Sequence, residues 1–399
     1  MKKFRLLSFS FLLNILFGFG YAVIISRLLG VESRGVVYAY QLPSLFIATI
    51  VYSIFSQPIF EYTGKISAGK TTLHPIVYSL VTATVIAFIV SYLYDFFSQS
   101  SLDLLYFNLL IITQGINLFF IGLARFNSSK KRYIFSSITT PACLFLVTFS
   151  AFLYFGYLNE DLTLALIAVS YSLSTAAILL TISNQVEISF QKKQFSIKQF
   201  TSRLMSIFIH KSLNVVSNYI DKLIIVSFFS STTVGLIATC MTLESVSSKL
   251  YNMMANYQLN NVSNKRAKRR DTKILYLAGA VIGLGGVGIA YLFGALIIEL
   301  MFGNEFVDAA QFLWIIIATS VANGITWLIS QDWLLQKSYR KIYLRQTLGL
   351  AVIAIGLLLI QVIGKDVQFF LLTVFISVVA KLIYTVIRKK SESKEQTIF

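Results

Sequence analysis

The sequence has few of the residues on which metal and redox sites depend. Among its 399 residues there are only two cysteines and two histidines. Cys143 and Cys240 both lie inside apolar runs, and their spacing indicates neither a disulfide nor a zinc site. We therefore expect no metal centre and no cofactor.

Motifs of enzyme chemistry are lacking as well. The chain has no Walker-type glycine loop that would cradle a nucleotide. Two histidines leave no recognisable Ser-His-Asp order, and no pair of carboxylates lies on a domain outside the apolar runs. The sequence therefore predicts that the protein is not an enzyme.

Charged residues are scarce, and long apolar runs make up most of the sequence. Hydrophobic residues make up 56% of the chain and charged residues 13%. Runs of about 20 apolar residues recur throughout, as expected of membrane-spanning helices. The first run follows MKKFR, is too long for a signal peptide, and is interpreted as a retained span. Twelve spans are predicted, at 6–29, 36–60, 74–97, 104–124, 134–156, 162–183, 205–229, 233–259, 274–299, 309–335, 342–363 and 367–387.

The distribution of basic residues predicts the orientation. With both termini in the cytoplasm, nearly all basic residues outside the spans lie in cytoplasmic segments, and Arg345, near the cytoplasmic end of span 342–363, is counted with them. Arg27, Arg34 and Lys365 are the external exceptions. This bias explains the net charge of +17, so we expect no nucleic-acid partner. A multi-pass membrane protein is predicted.

The twelve spans divide into two sets of six. IISRLLGVESRGVVYA (24–39) and IVSFFSSTTVGLIAT (225–239) occupy equivalent positions in the two halves, and Gly35 and Gly235 each open the next helix. Such a repeat implies two bundles related by an axis along the membrane normal, with a transport path between them. The predicted domains are a six-helix bundle (1–183), a cytoplasmic linker (184–204), a second six-helix bundle (205–387) and a cytoplasmic tail (388–399).

Three segments resemble a known family. They are RLLGVESRGVVYAY (27–40), NYIDKLIIVSFFSSTTVGLIATCMTL (218–243) and LIIELMFGNEFVDAAQFLW (296–314). Their order and spacing are similar to the polysaccharide exporters and O-antigen flippases of the multidrug/oligosaccharidyl-lipid/polysaccharide (MOP) flippase superfamily. The segment Phe228-Phe229-Ser230 departs from that pattern, since many members have small residues there. The resemblance implies an all-α, MATE-like fold. It also implies a location in the bacterial inner membrane. The implied substrate is undecaprenyl-diphosphate-linked oligosaccharide, which is carried from the cytoplasmic to the periplasmic leaflet. Membrane lipid and other polysaccharide-assembly proteins are the implied partners.

Polar and ionisable residues interrupt the seventh span. On a helix, one stripe contains Lys211, Asn214, Asn218 and Lys222, with His210 and Asp221 at its edge. Placing Lys211, Asp221 and Lys222 at the membrane centre costs roughly 7–10 kcal/mol, against roughly 4–7 kcal/mol returned by the apolar residues. The stripe is therefore expected to face protein or water rather than lipid.

The eighth span has a similar stripe. It comprises Ser245, Ser248, Lys249, Asn252 and Asn256, with Glu244 at its border. A salt bridge to a neighbouring span is an equally good explanation of Glu244 and Lys249. Lys211 and Lys381, near their helix ends, are expected to extend toward the headgroups, and Asp332 is assigned a helix-end role.

The candidate substrate-binding residues come from both stripes. They are Lys222, Asp221, Asn218, Asn214, Lys211, Lys249 and Asn252. Lysine supplies the positive charge that a lipid-linked diphosphate needs, and the amides supply hydrogen bonds for sugars. Coupling to an ion needs a titratable group, for which Asp221, Glu244 and His210 are the candidates. The alternatives are a cation-coupled drug or metabolite exporter of the same fold, an O-antigen polymerase, and a channel or scaffold.

Overall fold

The computed structural model shows a chain that is almost entirely helical. It describes residues 2–63, 71–98, 103–127, 130–182, 186–187, 197–263, 269–335, 338–364 and 366–398, with side chains over 9–52, 76–94, 103–124, 134–181, 212–255, 274–331, 333, 338, 340–362, 364 and 366–391. The helices are α1 (Lys2–Thr63), α2 (Leu73–Ser98), α3 (Leu104–Asn127), α4 (Lys130–Phe155), α5 (Glu160–Ile182), α6 (Ile197–Phe228), α7 (Ser231–Ser263), α8 (Arg269–Phe302), α9 (Ala310–Leu335), α10 (Tyr339–Ile363) and α11 (Val367–Ile398). A 3-10 helix (Asn304–Ala309) precedes α9, and the two-residue strands β1 (Thr71–Thr72) and β2 (Val186–Glu187) pair in parallel.

Most of the helices are suited to a bilayer. Within the described residues, nine helices are long and apolar enough to cross a membrane. Large apolar side chains such as Leu284, Leu292 and Val362 are exposed on them, as expected where lipid replaces water. The predicted spans 205–229 and 233–259 correspond to α6 and α7, which are not among the nine in the described part of the chain. The protein is a multi-pass membrane protein, and the count of twelve spans stays a prediction.

The first two predicted spans are joined in α1 by a kink. Gly30 has φ 74° and ψ 177°, a backbone conformation that breaks the helix inside Lys2–Thr63. Side chains with a Cβ are excluded from this region of φ/ψ space by steric overlap. The glycine therefore lets two helical segments follow one another without a loop.

The chain divides into two compact units, Met1–Ser227 and Phe228–Phe399. Of the predicted linker 184–204, the structure describes β2 and the first turns of α6. The predicted division at that linker stays a prediction.

In the first unit, α1 packs on α3 and α4, and α3 packs on α5. Tyr52 of α1 is fully buried against Gly115 of α3, where a Cβ would overlap the ring. A buried polar network joins α3, α4 and α5. Asn117 donates to Ser174 Oγ over 2.9 Å and accepts from Thr140 Oγ1 over 2.9 Å. This network satisfies polar groups that would be costly to leave unpaired in an apolar interior.

In the second unit, Tyr251 of α7 lies against α8 and α9. Its hydroxyl donates to the Gly279 carbonyl oxygen of α8 over 2.6 Å and lies against Gly283 of α8, and its ring covers Gly324 of α9. A Cβ at Gly283 or Gly324 would overlap Tyr251. Three glycines thus create the space for one tyrosine that holds three helices together.

Candidate functional site

The polar stripe of α6 contains an ion pair. Lys222 Nζ lies 3.7 Å from Asp221 Oδ2 and donates to the Asn218 carbonyl oxygen over 3.1 Å. Residues three and four apart on a helix are neighbours, which explains why Asn218 and Lys222 meet. The structure therefore brings the Lys222 and Asp221 side chains together, while Asn218 contributes its main-chain carbonyl group.

This ion pair is incompletely satisfied. The side chains of Lys222 and Asp221 are 27% and 17% exposed, and Asp221 Oδ1 is buried without a hydrogen-bond partner. Removing a carboxylate oxygen from water without a partner is unfavourable. Asp221 Oδ1 is thus an acceptor available to a proton, a cation or a ligand hydroxyl.

Aromatic side chains connect α6 to the rest of the first unit. The rings of Tyr219 and Phe46 are tilted with centroids 5.9 Å apart. Tyr219 also lies within electrostatic range of the partly buried Tyr171 of α5. Asn214 is partly buried and Asn218 is exposed, so the two amides of the stripe have different surroundings.

The α7 stripe is built around Glu244. Ser248 Oγ donates to Glu244 Oε1 and lies 3.3 Å from Ser320 Oγ of α9. Lys249 is partly buried and Asn252 is exposed on the same helix. Glu244 therefore belongs to a hydrogen-bonded cluster within the second unit, where it is linked to α9 through a serine.

Several candidates fall outside the described side chains. His210 and Lys211 lie on α6, Asn256 lies on α7 and Asp332 lies on α9, and the side chains of all four are outside the part that the structure describes. Their predicted roles stay predictions.

The expectation for Lys381 is wrong. Instead of extending toward the headgroups, its side chain is only 5% exposed and lies against Gly349 of α10. The absence of a Cβ at Gly349 leaves a space between the helices that the lysine stem fills. Packing against a neighbouring helix, which span hydropathy does not show, overrides snorkelling here.

Two arginines near the ends of predicted spans are buried. Arg34 of α1 and Arg345 of α10 are each 4% exposed, and Nε and Nη1 of both have no hydrogen-bond partner. Arg34 lies four residues after the kink at Gly30, within electrostatic range of Tyr21 and Tyr38. Both residues lie at the ends of predicted spans, and no sequence signal distinguishes them from ordinary basic loop residues.

The described neighbours of Arg34 include an uncharged polar pair. Gln41 Nε2 donates to Tyr21 Oη over 3.1 Å, which makes a hydrogen-bonded pair beside the guanidinium. Neither group carries a negative charge at neutral pH. Arg34 thus presents buried positive charge and unused donors, which is the chemistry that an anionic group would satisfy.

No family model and no curated protein sequence matches the chain. Solved structures do match. The lipid II flippase MurJ in an inward closed conformation superposes with a TM-score of 0.67 at 14% identity, covering 96% of this chain and 87% of MurJ. A multidrug resistance MATE transporter of the MOP superfamily, inward-facing, gives a TM-score of 0.65 at 12% identity, with 96% of each chain covered.

A further MATE multidrug transporter, DinF-BH, gives a TM-score of 0.62 at 16% identity, covering 97% of this chain and 94% of the transporter. These neighbours are a flippase and transporters, not enzymes. At such low identity the likeness shows the fold, and the predicted all-α, MATE-like fold is confirmed. The chain is a multi-pass membrane protein with the fold shared by MurJ and the MATE transporters.

Proposed function

We propose that the protein is a flippase that moves an undecaprenyl-diphosphate-linked oligosaccharide from the cytoplasmic to the periplasmic leaflet by alternating access. The substrate is an O-antigen repeat unit or the repeat unit of a related surface polysaccharide, and the membrane is the bacterial inner membrane. Other polysaccharide-assembly proteins are proposed partners.

The observation that carries this proposal is the buried Arg34 with its two unpartnered nitrogens. A cationic drug would be recognised by carboxylates and aromatic faces, whereas a buried guanidinium requires an anion. A diphosphate supplies that anion together with acceptors for several donors. The lipid II flippase MurJ, a structural neighbour, is named for a lipid-linked substrate of this general kind.

The α6 stripe supplies the remaining chemistry in this proposal. Lys222 provides a point charge toward the diphosphate, and Asn214 and Asn218 provide hydrogen bonds toward the sugars. Lys211 on α6, and Lys249 and Asn252 on α7, are further proposed substrate-binding residues. Asp221 is the proposed coupling acid, because its Oδ1 atom has no partner. Glu244 and His210 are further candidates for coupling.

The function is tested by deleting the gene in the parent organism and restoring it on a plasmid. Deletion is expected to leave lipid-linked repeat units on the cytoplasmic leaflet, with no surface polymer, and the plasmid is expected to reverse both effects. Single repeat units capping the surface lipid would instead identify a polymerase. Unchanged surface polymer with altered drug susceptibility would identify a drug exporter, and either outcome refutes the flippase.

The site is tested in the same strain with Lys222→Gln and Asp221→Asn. Because the pair is partly exposed, each change is expected to alter stability by only about 1 kcal/mol or less, so protein levels should stay normal. Export is expected to fall at least about tenfold, because each variant loses one charged hydrogen bond that forms during transport. Lys390→Gln and Asp308→Asn remove charges from exposed positions and serve as matched controls. Full export with Asp221 and Lys222 both replaced would exclude them from the mechanism.

Arg34→Gln tests the observation that carries the proposal. We expect loss of export with Arg34→Gln and partial export with Arg34→Lys, which keeps the charge. Export by Arg34→Gln equal to wild type would show that the guanidinium has no role in anion recognition.

A further inference from the structure

A second group of buried cations lies within the second unit, where α10 meets α11. The two helices run antiparallel, since Gly356 contacts Thr373, Gly349 contacts Lys381, and Arg345 lies within electrostatic range of Tyr384. Ser377 Oγ donates to the Gly349 carbonyl oxygen over 2.9 Å and fixes this register. Lys381, Tyr384 and Arg388 follow one another at helical spacing along the same face of α11.

Donors at this interface are buried and unused. Arg345 is 4% exposed, and its Nε and Nη1 atoms have no hydrogen-bond partner. The hydroxyl oxygen of Tyr384 is also buried without a partner. Well-packed interiors rarely leave such groups unsatisfied, because an unpaired buried donor is unfavourable and an unpaired buried charge is more so.

The described ionisable side chains at this interface are basic. Lys381 is 5% exposed, and the guanidinium carbon of Arg388 lies 5.8 Å from the centre of the Tyr384 ring. Among the described side chains of α9, α10 and α11 there is no carboxylate. The acidic residues of these helices are Asp332, Glu392 and Glu395, whose side chains lie outside the described part.

We propose that this interface is an anion site that takes a phosphate group. Arg345 and Tyr384 are its donors, and Lys381 contributes a second positive charge. Arginine is suited to this role because its guanidinium keeps its charge when buried and offers several donors to phosphate oxygens. The site lies wholly within the second unit, and the observations that support it are independent of the proposed substrate.

The surface around the site favours the phosphodiester of a membrane lipid over free phosphate. Leu344 and Leu348 of α10 are 46% and 38% exposed, and Ile383 and Ile387 of α11 are 54% and 61% exposed. Acyl chains can lie along these apolar side chains while the phosphate enters between the helices. Inorganic phosphate offers the same oxygens without any use for the apolar flank.

The test uses the full-length protein purified in a neutral detergent. Phosphatidylglycerol, phosphatidylcholine of the same chain length and inorganic phosphate are titrated separately, and binding is followed by native mass spectrometry and by the thermal midpoint. Saturable binding of phosphatidylglycerol that raises the midpoint is expected. Arg345→Gln should weaken this binding at least about tenfold, whereas Arg340→Gln, at an exposed position of the same helix, should leave it unchanged.

Tyr384→Phe is a second variant that tests the site even if Arg345→Gln fails to fold. It removes a hydroxyl that has no partner in the protein, so it should weaken binding several-fold without lowering the midpoint of the lipid-free protein. Saturable binding of inorganic phosphate alone, lost in Arg345→Gln, would support the anion site and assign its source to the free anion.

Three results would overturn the proposal. The first is no saturable binding of phosphatidylglycerol or phosphate. The second is an equal loss in Arg345→Gln and Arg340→Gln, which would indicate unspecific attraction. The third concerns Asp332. If no ligand binds, Asp332→Asn lowers the thermal midpoint and the double variant with Arg345→Gln has the same midpoint as Asp332→Asn, then the Arg345 guanidinium is paired with the Asp332 carboxylate.

Discussion

Replacing Gly324 by alanine should destabilise the second unit through a single contact. The new Cβ would overlap three ring carbons of Tyr251, which is 2% exposed and cannot move into solvent. Overpacking of this kind costs roughly 1–3 kcal/mol. Displacing the ring also strains its 2.6 Å hydrogen bond to Gly279, which is worth about 0.5–1.5 kcal/mol.

One effect acts in the opposite direction. Alanine is favoured over glycine inside a helix by about 1 kcal/mol. The net expectation for Gly324→Ala is therefore a loss of roughly 1–3 kcal/mol. At about 2–4 °C per kcal/mol, the thermal midpoint should fall by several degrees.

The assay is thermal unfolding of the purified protein in detergent, followed by the monodisperse fraction on size exclusion. Gly285→Ala is the matched control, because a Cβ there meets nothing within 4 Å and α8 gains helix propensity. Its midpoint should stay the same or rise. In a Tyr251→Leu background, Gly324→Ala should lose most of its effect. An equal drop in that background would show that overlap with Tyr251 is not the cause.

Substitutions at two positions test the first unit, and Gln311 of the second unit serves as a control. Gly30→Ala should lower the stability by roughly 1–3 kcal/mol. Gly30→Asn should not restore it, because φ 74° with ψ 177° lies outside the left-handed helical region that asparagine tolerates. The thermal midpoints of the wild type and the two variants check this. Asn117→Ala should cost about 1–3 kcal/mol, because it removes the amide that is hydrogen-bonded to both Thr140 and Ser174 in the core. Gln311→Ala, which removes an amide with an exposed hydrogen bond, should change stability by less than about 0.5 kcal/mol in the same assay. A similar loss in both amide variants would contradict a special role for the buried network.

Much of the helical architecture could be predicted from apolar runs. The predicted spans 104–124 and 309–335 agree closely with α3 and α9, because long apolar segments with polar ends leave little freedom in placing a helix. The join within α1 could not be predicted in the same way. The predicted spans leave Gly30 in a loop, and only its backbone angles show that the helices meet directly at that residue.

The candidate site was predictable where local spacing determines contacts. Asn218 and Lys222 are four residues apart, so their contact follows from helical geometry alone. The hydrogen bond of Ser248 to Glu244 follows from the same spacing. Contacts between helices, such as that of Ser248 with Ser320, depend on packing that no single-sequence pattern contains.

The buried arginines show why a count of basic residues predicts the orientation of the chain in the membrane but does not identify binding sites. The positive-inside bias concerns which side of the membrane a basic residue lies on, and it contains no information about depth. Arg34 and Arg345 lie close to predicted span ends, so a count of charges treats them as ordinary loop residues. Their burial follows from the kink at Gly30 and from the packing of α10 on α11. In a membrane fold with few charges, a guanidinium with unused donors carries a free-energy cost that only a ligand or a conformational change can relieve. Those two arginines are therefore better first targets for mutagenesis than the more numerous lysines of the cytoplasmic segments.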